Sequence, residues 1–304
     1  MMDFLTITDV GPRDGLQSQK TQVSTEGKLQ LIQALFDAGL PSVEATSFVS
    51  PKAVPQMADA DVLLPRVKVP TTARLSVLVP NLRGLERAAQ AGATEVAVVL
   101  SATDTMNRKN IAMDLSVATS TCVAVLQQAS KLGLTSRAYV AVAFECPFEG
   151  LTSPARVLDL AVRMSDAGAG EIVLADTIGA AAPAQVQILL SALLGRIEVA
   201  QLSMHFHDTR GMALANAWAA MELGVRRLDA SIAGLGGCPF APGAAGNLAT
   251  EDLVLMAEQC GFSTGVNLQA LVRAVALAGE LVGYPVGGRS ARWLSARQAS
   301  QQAT

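Results

Sequence analysis

The stretch Ala200-Gln201-Leu202-Ser203-Met204-His205-Phe206-His207-Asp208-Thr209-Arg210-Gly211 decides how this chain is read. The run up to Met204 reads as a strand, and a helix-like run over 212–223 follows and stops at Gly224. Strand, helix and glycine stop make one βα unit. The protein has only 2 histidines, and both stand at the end of this strand. Side chains at i and i+2 of a strand share a side, so His205 and His207 aim at one point. Neutral imidazole is a common metal ligand. The competing reading is a pair of satisfied polar residues at a strand end, and the neighbours must decide.

Working outward, the same unit recurs. Strand-like runs cover 4–10 (closed by Gly11-Pro12), 42–48, 75–79 (before Pro80), 95–100, 138–144 and 171–176. The histidine strand and 227–233 complete the set. Helix-like runs over 24–39, 82–91, 115–132, 154–167, 183–194 and 212–223 separate them, several ending at Gly92, Gly133, Gly168 or Gly224. Eight βα units with no linker-like break predict a (β/α)8 barrel. A doubly wound open sheet is the alternative, because sequence patterns do not show closure. A glycine-rich loop over 234–247 follows, then two helices, 249–260 and 268–282, expected to pack beside the barrel. Residues 1–288 are therefore read as a single catalytic domain, and 289–304 as a polar tail that is expected to fray.

Composition narrows the class. The 304 residues are 50% apolar, 16% charged and 4% aromatic, with net charge −3. That suits a globular protein with a large core and offers no basic patch for nucleic acid. Small aliphatic residues suit buried parallel strands covered by helices. No apolar run is long enough to span a membrane, and neither a signal peptide nor an Arg-rich transit segment is expected. Cys122, Cys146, Cys238 and Cys260 are scattered without a C-x-x-C pair, which fits reduced thiols in a cytoplasmic compartment.

Barrel enzymes build their sites at the C-terminal strand ends. There this sequence places Arg13 and Asp14, Glu44 and Ser47, Tyr139 with Glu145 and Cys146 beyond it, Asp176 and Thr177, the two histidines, and then Cys238 and Asn247. Asp14 with His205 and His207 gives a carboxylate and two nitrogens, and the Asn247 amide oxygen is a candidate fourth ligand. That mixed set suits Mg²⁺ or Mn²⁺, whereas zinc more often draws a cysteine or a third histidine. Asp14 equally fits a turn or cap role beside Gly15. Arg13 can hold positive charge where an enolate oxygen develops, or pair with Glu44 or Asp176, and both roles can hold at once. Cys238 fits either a proton-transfer group on a lid or a buried apolar thiol.

The chain resembles the 3-hydroxy-3-methylglutaryl-CoA lyase family. The resemblance is carried by Val10-Gly11-Pro12-Arg13-Asp14-Gly15-Leu16-Gln17, Glu44-Ala45-Thr46-Ser47-Phe48-Val49-Ser50-Pro51, Asp176-Thr177-Ile178-Gly179 and His205-Phe206-His207-Asp208-Thr209. The loop Ala233-Gly234-Leu235-Gly236-Gly237-Cys238-Pro239-Phe240 is its most specific motif, and it continues through Gly246-Asn247-Leu248-Ala249-Thr250-Glu251-Asp252. The histidine motif alone is shared with related aldolase and acyl-CoA synthase barrels. The resemblance implies a divalent metal on Asp14, His205, His207 and Asn247. It also implies an enolate-stabilising role for Arg13, a place on the catalytic loop for Cys238, a supporting role for Glu44, and a position beside the metal for Asp176. Gln17, Ser47, Tyr139, Thr177 and Arg210 are the candidate substrate-binding residues. The implied reaction is retro-Claisen cleavage of an acyl-CoA substrate to acetyl-CoA and a keto acid, by a homodimer with no nucleic-acid or membrane partner.

Several positions depart from the family pattern. Arg210 and Met212 stand where Tyr and Gln are common, Asp104 where Glu is usual, Met106 where an aromatic is usual, and Glu145 where a glycine is usual. No metal ligand is lost, so these departures bear on the acyl group, and Arg210 with Glu145 is expected to retune the pocket for a related 3-hydroxy-3-methyl acyl-CoA. An acetyl-CoA-condensing synthase is the second reading, but such enzymes carry extra C-terminal segments and lack the Gly-Gly-Cys-Pro loop. A non-catalytic barrel predicts a lost ligand or a lost Arg13, and neither is lost.

Overall fold

The computed structural model describes residues 3–237 and 246–302. Eight parallel strands close on themselves: β1 (Thr6–Asp9), β2 (Ser42–Ser47), β3 (Arg74–Leu78), β4 (Glu95–Ser101), β5 (Thr135–Ala141), β6 (Glu171–Asp176), β7 (Leu202–Phe206) and β8 (Arg227–Ala230). Neighbours in sequence are neighbours in the barrel. Closure is made by β1 against β8, in register from Thr6 opposite Arg227 to Asp9 opposite Ala230. This settles the barrel against the open sheet.

The outer ring follows from amphipathic runs with polar starts. Helix α1 (Thr25–Asp37) is capped by Ser24, which accepts from Gly27 N at 3.2 Å. Asn81 and Asp114 cap α3 (Leu82–Gln90) and α5 (Leu115–Lys131) in the same way. Each satisfies an amide that the helix itself cannot reach. The short α2 (Ala60–Leu63) and α4 (Asp104–Ile111) lie between strands, and α6 (Pro154–Asp166), α7 (Pro183–Leu193) and α8 (Ala213–Glu222) complete the ring. Helices α9 (Thr250–Gln259) and α10 (Leu268–Val282) follow the barrel, as expected.

The apolar core lies almost wholly between strands and helices, where Leu31, Val96, Leu126, Leu174 and Leu190 are buried. Inside the barrel the separate apolar cluster is small: Leu78, Ala97, Tyr139 and Val173. Many of its other inward positions are polar or charged, including Glu44, Arg137, Glu171, His205 and Asp229, all buried.

Three local findings differ from the sequence reading. Strand β5 runs Thr135–Ala141, earlier than 138–144, because Val142 leaves the strand with φ of 50°. The segment between the runs over 95–100 and 115–132, to which the sequence reading gave no element, contains α4, since the Asn107 side chain accepts from Ser101 N and donates to the carbonyls of Ser101 and Thr103. The expected frayed tail is corrected to a helix, α11 (Ala291–Gln302). Its start is fastened by Asp252, whose carboxylate accepts from Arg289 N at 2.7 Å and Ser290 N at 2.8 Å, and Leu294 is buried. Among the described residues no helix is long and apolar enough to cross a membrane.

Candidate active site

The carboxyl ends of the strands converge on one polar cluster. Directly after β1, residues Gly11–Gly15 form a single π-helical turn, with the amides of Asp14 and Gly15 both donating to Val10 O at 2.7 and 3.2 Å. Such wide turns are uncommon and recur at functional sites. This one turns Arg13 and Asp14 inward over the barrel mouth. The Arg13 Nε donates to Glu44 Oε2 at 2.5 Å, and its Nη1 donates to Asp14 Oδ1 at 2.7 Å. Arg13 thus forms the Glu44 pair considered from sequence while keeping its charge at the mouth.

Asn247 arrives from the far side of the glycine-rich loop. It forms a bridge opposite His207, and the next amide, Leu248 N, donates to Phe206 O at 2.9 Å. Its Nδ2 donates to Asp14 Oδ2 at 2.8 Å and to Leu235 O at 3.0 Å. Those two bonds fix the amide orientation and leave Oδ1 buried with no partner. Gly236, with φ of 135°, is required here, because a Cβ would collide with the Asn247 amide.

The histidines are held from behind. His205 Nδ1 lies 3.3 Å from Asp229 Oδ2, and His207 Nδ1 lies 3.0 Å from Asp176 O. Each ring therefore donates through Nδ1 and presents Nε2 to the mouth, the arrangement that orients histidine ligands at metal sites. Donor atoms of Asp14, His205 and His207 lie within 4.8 Å of one another. With the partnerless Asn247 oxygen they form a three-element set of carboxylate, amide and imidazoles, which fits a hard divalent ion.

The electrostatics agree with that chemistry. Burial raises the Asp14 carboxyl, but Arg13, both histidines and the Asn247 hydrogen bond outweigh it and hold Asp14 below its ordinary value. Burial and the neighbouring His205 push His207 down to about 4, so it is neutral, the form that binds metal. Burial lowers His205 too, but Asp229 behind it brings the net shift upward.

The other candidates divide. Buried and without partners at the rim are Ser47 Oγ, Glu44 Oε1 and Gln17 Oε1, polar atoms available to a ligand. Asp176 differs: its carboxylate accepts from Ala180 N at 2.8 Å and Ala181 N at 3.0 Å, so it supports the site through its carbonyl. Thr177 Oγ1 accepts from Val142 N at 2.8 Å and holds that left-handed residue. Tyr139 lies beneath His205, its hydroxyl donating to Asp229 Oδ2 at 2.7 Å. Arg210 stands at the rim, 3.5 Å from Glu145 Oε1, so two departures from the family pattern pair with each other. Asp104 accepts from Leu115 N and Arg108 Nε and Met106 is buried, so these two serve the scaffold, while Met212 is exposed before α8. Cys238 lies outside the described residues.

Sequence reasoning missed the support beneath the ligands: Asp229, Arg137 and Glu171, and Arg289, whose Nε donates to Asp208 Oδ2 at 3.1 Å beside His207. The available signal was a charged residue on the inward phase of an apolar strand, at positions 137, 171 and 229.

The sequence and the fold have known counterparts. The mitochondrial hydroxymethylglutaryl-CoA lyase of Rattus norvegicus is 48% identical over 269 residues, covering 88% of this chain and 82% of that protein. The crystal structure of the Bacillus subtilis HMG-CoA lyase matches with a TM-score of 0.94 and 42% identity, covering 96% of this chain and 98% of that one. An HMG-CoA lyase from Acinetobacter baumannii, solved in complex with coenzyme A and 3-methylmalate, matches with a TM-score of 0.91 and 41% identity over 95% of each chain. The HMGL-like family matches residues 5–277, from the entry to β1 into α10, and the chain belongs to that family of lyases.

Proposed function

We propose that this protein cleaves 3-hydroxy-3-methylglutaryl-CoA to acetyl-CoA and acetoacetate, with Mg²⁺ or Mn²⁺ held by Asp14, His205, His207 and Asn247. The observation that carries the proposal is the convergence of Asp14, two Nε2 atoms and a buried, partnerless Asn247 oxygen on one mouth. The family relatives named above act on this thioester, and one of them was solved with coenzyme A. A divalent ion in this site supplies positive charge that makes the tertiary hydroxyl of the substrate more acidic.

The residues around it account for the remaining steps. A general base takes the hydroxyl proton, and the alkoxide that is left collapses to the ketone of acetoacetate, breaking the C2–C3 bond. The bonding pair moves to C2 and the thioester oxygen, giving the enolate of acetyl-CoA. Arg13, buried and oriented by Glu44, places a fixed positive charge where that oxygen gains negative charge, without reorganisation at the moment of reaction. A proton delivered to C2 completes acetyl-CoA, and Cys238 is assigned to this transfer on the family motif. Ser47 and Gln17, with free polar atoms at the rim, are assigned to the substrate's polar groups. Assembly as a homodimer belongs to this proposal on the resemblance alone. The free cysteines Cys122, Cys146 and Cys260 suit a reducing, cytoplasmic setting.

The test is acetyl-CoA release from a panel of 3-hydroxyacyl-CoA esters with added Mg²⁺ or Mn²⁺. His205→Ala is expected to abolish metal retention and activity together, and an active variant without metal refutes the ligand set. Cys238→Ala is expected to retain metal but turn over roughly 10²–10⁴-fold more slowly, the range for a lost acid–base group. An unchanged rate would assign that thiol to structure.

A further inference from the structure

A column of charge runs down the barrel axis from beneath His205. Asp229 Oδ2 receives the His205 ring at 3.3 Å and the Tyr139 hydroxyl at 2.7 Å, while its Oδ1 accepts from Arg137 Nη2 at 2.6 Å. Arg137 then binds Glu171 Oε1 through Nε at 2.9 Å and Nη2 at 2.6 Å, and its Nη1 donates to the Tyr139 hydroxyl at 3.0 Å. At the lower rim Glu171 Oε2 accepts from Arg227 Nη1 at 3.2 Å. Arg137 is 1% exposed, Asp229 1% and Glu171 3%, so the column is inside the protein from His205 down to Glu171.

Stability does not explain it. Barrel interiors are ordinarily filled by layers of Val, Ile and Leu. Replacing a buried ion network by apolar residues of similar volume is often neutral or stabilising, because desolvation offsets the attraction. The outward residues of the same strands, Ala138, Val140 and Leu228, are apolar, so the charge is confined to the inward phase. What the column does provide is a fixed carboxylate. With both oxygens engaged, Asp229 cannot turn from His205 without abandoning Arg137 and Tyr139.

We infer that Arg137 is a positioning residue: it locks Asp229, which fixes the tautomer and orientation of His205 so that Nε2 faces the metal. This rests on the metal reading above, and it assigns part of the site's metal affinity to a guanidinium that never touches the ion or the substrate.

The experiment uses the full chain and measures Mn²⁺ binding directly, by the loss of free-Mn²⁺ electron paramagnetic resonance signal, alongside thermal unfolding and kinetics. Wild-type Mn²⁺ binding tests the metal reading by itself; if none is seen, that reading fails before the column is tested. Given binding, Asp229→Asn, which keeps shape and removes charge, is expected to weaken Mn²⁺ by 10–100-fold, the usual cost of losing a partner behind a ligand. Arg137→Lys keeps the charge but not the fork that reaches Glu171, Asp229 and Tyr139 together. It is expected to weaken Mn²⁺ by a smaller factor and to lower kcat more than it raises KM. In Asp229→Asn/Arg137→Lys the second change should add less than 2-fold to the loss of Mn²⁺ affinity. Independent, multiplying losses would show that Arg137 does not act through Asp229, and wild-type affinity in Asp229→Asn would overturn the column altogether. Should Asp229→Asn fail to fold, the same measurement on Arg137→Lys decides, wild-type Mn²⁺ affinity again overturning the inference.

Discussion

The shell and the interior of this barrel obey different rules. Between strands and helices, residues such as Leu31, Leu126, Val186 and Leu190 bury aliphatic side chains against one another, with no polar group to satisfy. Inside the strands, four residues make the only separate apolar cluster among those described, and around it stand Glu44, Arg137, Glu171, His205 and Asp229. The shell gains free energy from area removed from water, so it tolerates exchange of one apolar residue for another of similar volume. The interior gains little net stability from buried charge and gives instead a fixed set of directions. Stability and chemistry are thus separated radially, and substitutions should separate them too.

The largest effect that sharpens this contrast is in the shell. Leu190 is fully buried in α7, part of the apolar shell outside the strands and not of the polar cluster at the barrel mouth. Leu190→Ala removes buried methyl groups and leaves a cavity, at a cost of about 2–5 kcal/mol. Denaturant unfolding should register that loss while kcat and Mn²⁺ affinity, measured well below the melting temperature, stay within about 2-fold of wild type, on the additivity of distant sites. A matching fall in metal affinity would break the radial separation.

The next prediction tests a residue on the border. Glu251 accepts from Ala233 N at 3.0 Å and Gly288 N at 2.6 Å, joining the segment after β8 to the start of the C-terminal element. Burial raises its carboxyl from 4.5 to about 7, with Asp252 adding to the rise and the backbone hydrogen bonds opposing it. The folded state therefore binds more protons than the unfolded state between those values. The stability this group contributes is full below pH 4.5 and is lost as pH rises through about 7. Asp9 and Asp176, each raised chiefly by burial to about 6, slope the same way. Glu251→Gln should lower stability at acidic pH, since one amide oxygen replaces two acceptors, and should flatten the fall in melting temperature across that window. Parallel curves for the two proteins would mean that Glu251 does not titrate there.

How much of this was readable beforehand follows the same radial line. The shell writes itself into sequence: eight apolar strand-like runs alternate with helix-like runs that have polar starts and, in several cases, glycine stops, so strand count was legible while closure was not. The clustering of Asp14, His205, His207 and Asn247 was legible too, because these residues sit at strand ends or just beyond. The interior column was not, since Arg137 and Asp229 interrupt apolar strands and look like noise until closure shows which phase faces in. The polar α4 was missed for a related reason: its anchor is Asn107 bonding to backbone, which leaves no periodic trace. The C-terminal α11 was misread because its fastening comes from Asp252, 37 and 38 residues before the amides it accepts from, which leaves no local signal.

The smallest effect concerns the rim, where interior and solvent meet. Arg210 and Glu145 depart from the family pattern at two separate loops, yet they lie 3.5 Å apart, with side chains 50% and 30% exposed. A half-exposed ion pair is worth about 0.2–1 kcal/mol, which corresponds to a change of a few-fold. Arg210 also donates to Ala180 O at 3.3 Å, tying its loop to the turn after β6. Because the two charges compensate, the net charge at the mouth resembles that of a rim carrying neither. That favours the standard substrate over the retuned pocket expected from Arg210 with Glu145. Arg210→Tyr alone should then shift the ratio of kcat/KM between 3-hydroxy-3-methylglutaryl-CoA and a longer 3-alkyl analogue by a few-fold. Glu145→Gly alone should shift it by a comparable amount through the unpaired Arg210, and the double replacement should return it towards wild type. If the double replacement instead multiplies the single shifts, the two residues act on substrate independently and the pair has no functional meaning at the mouth.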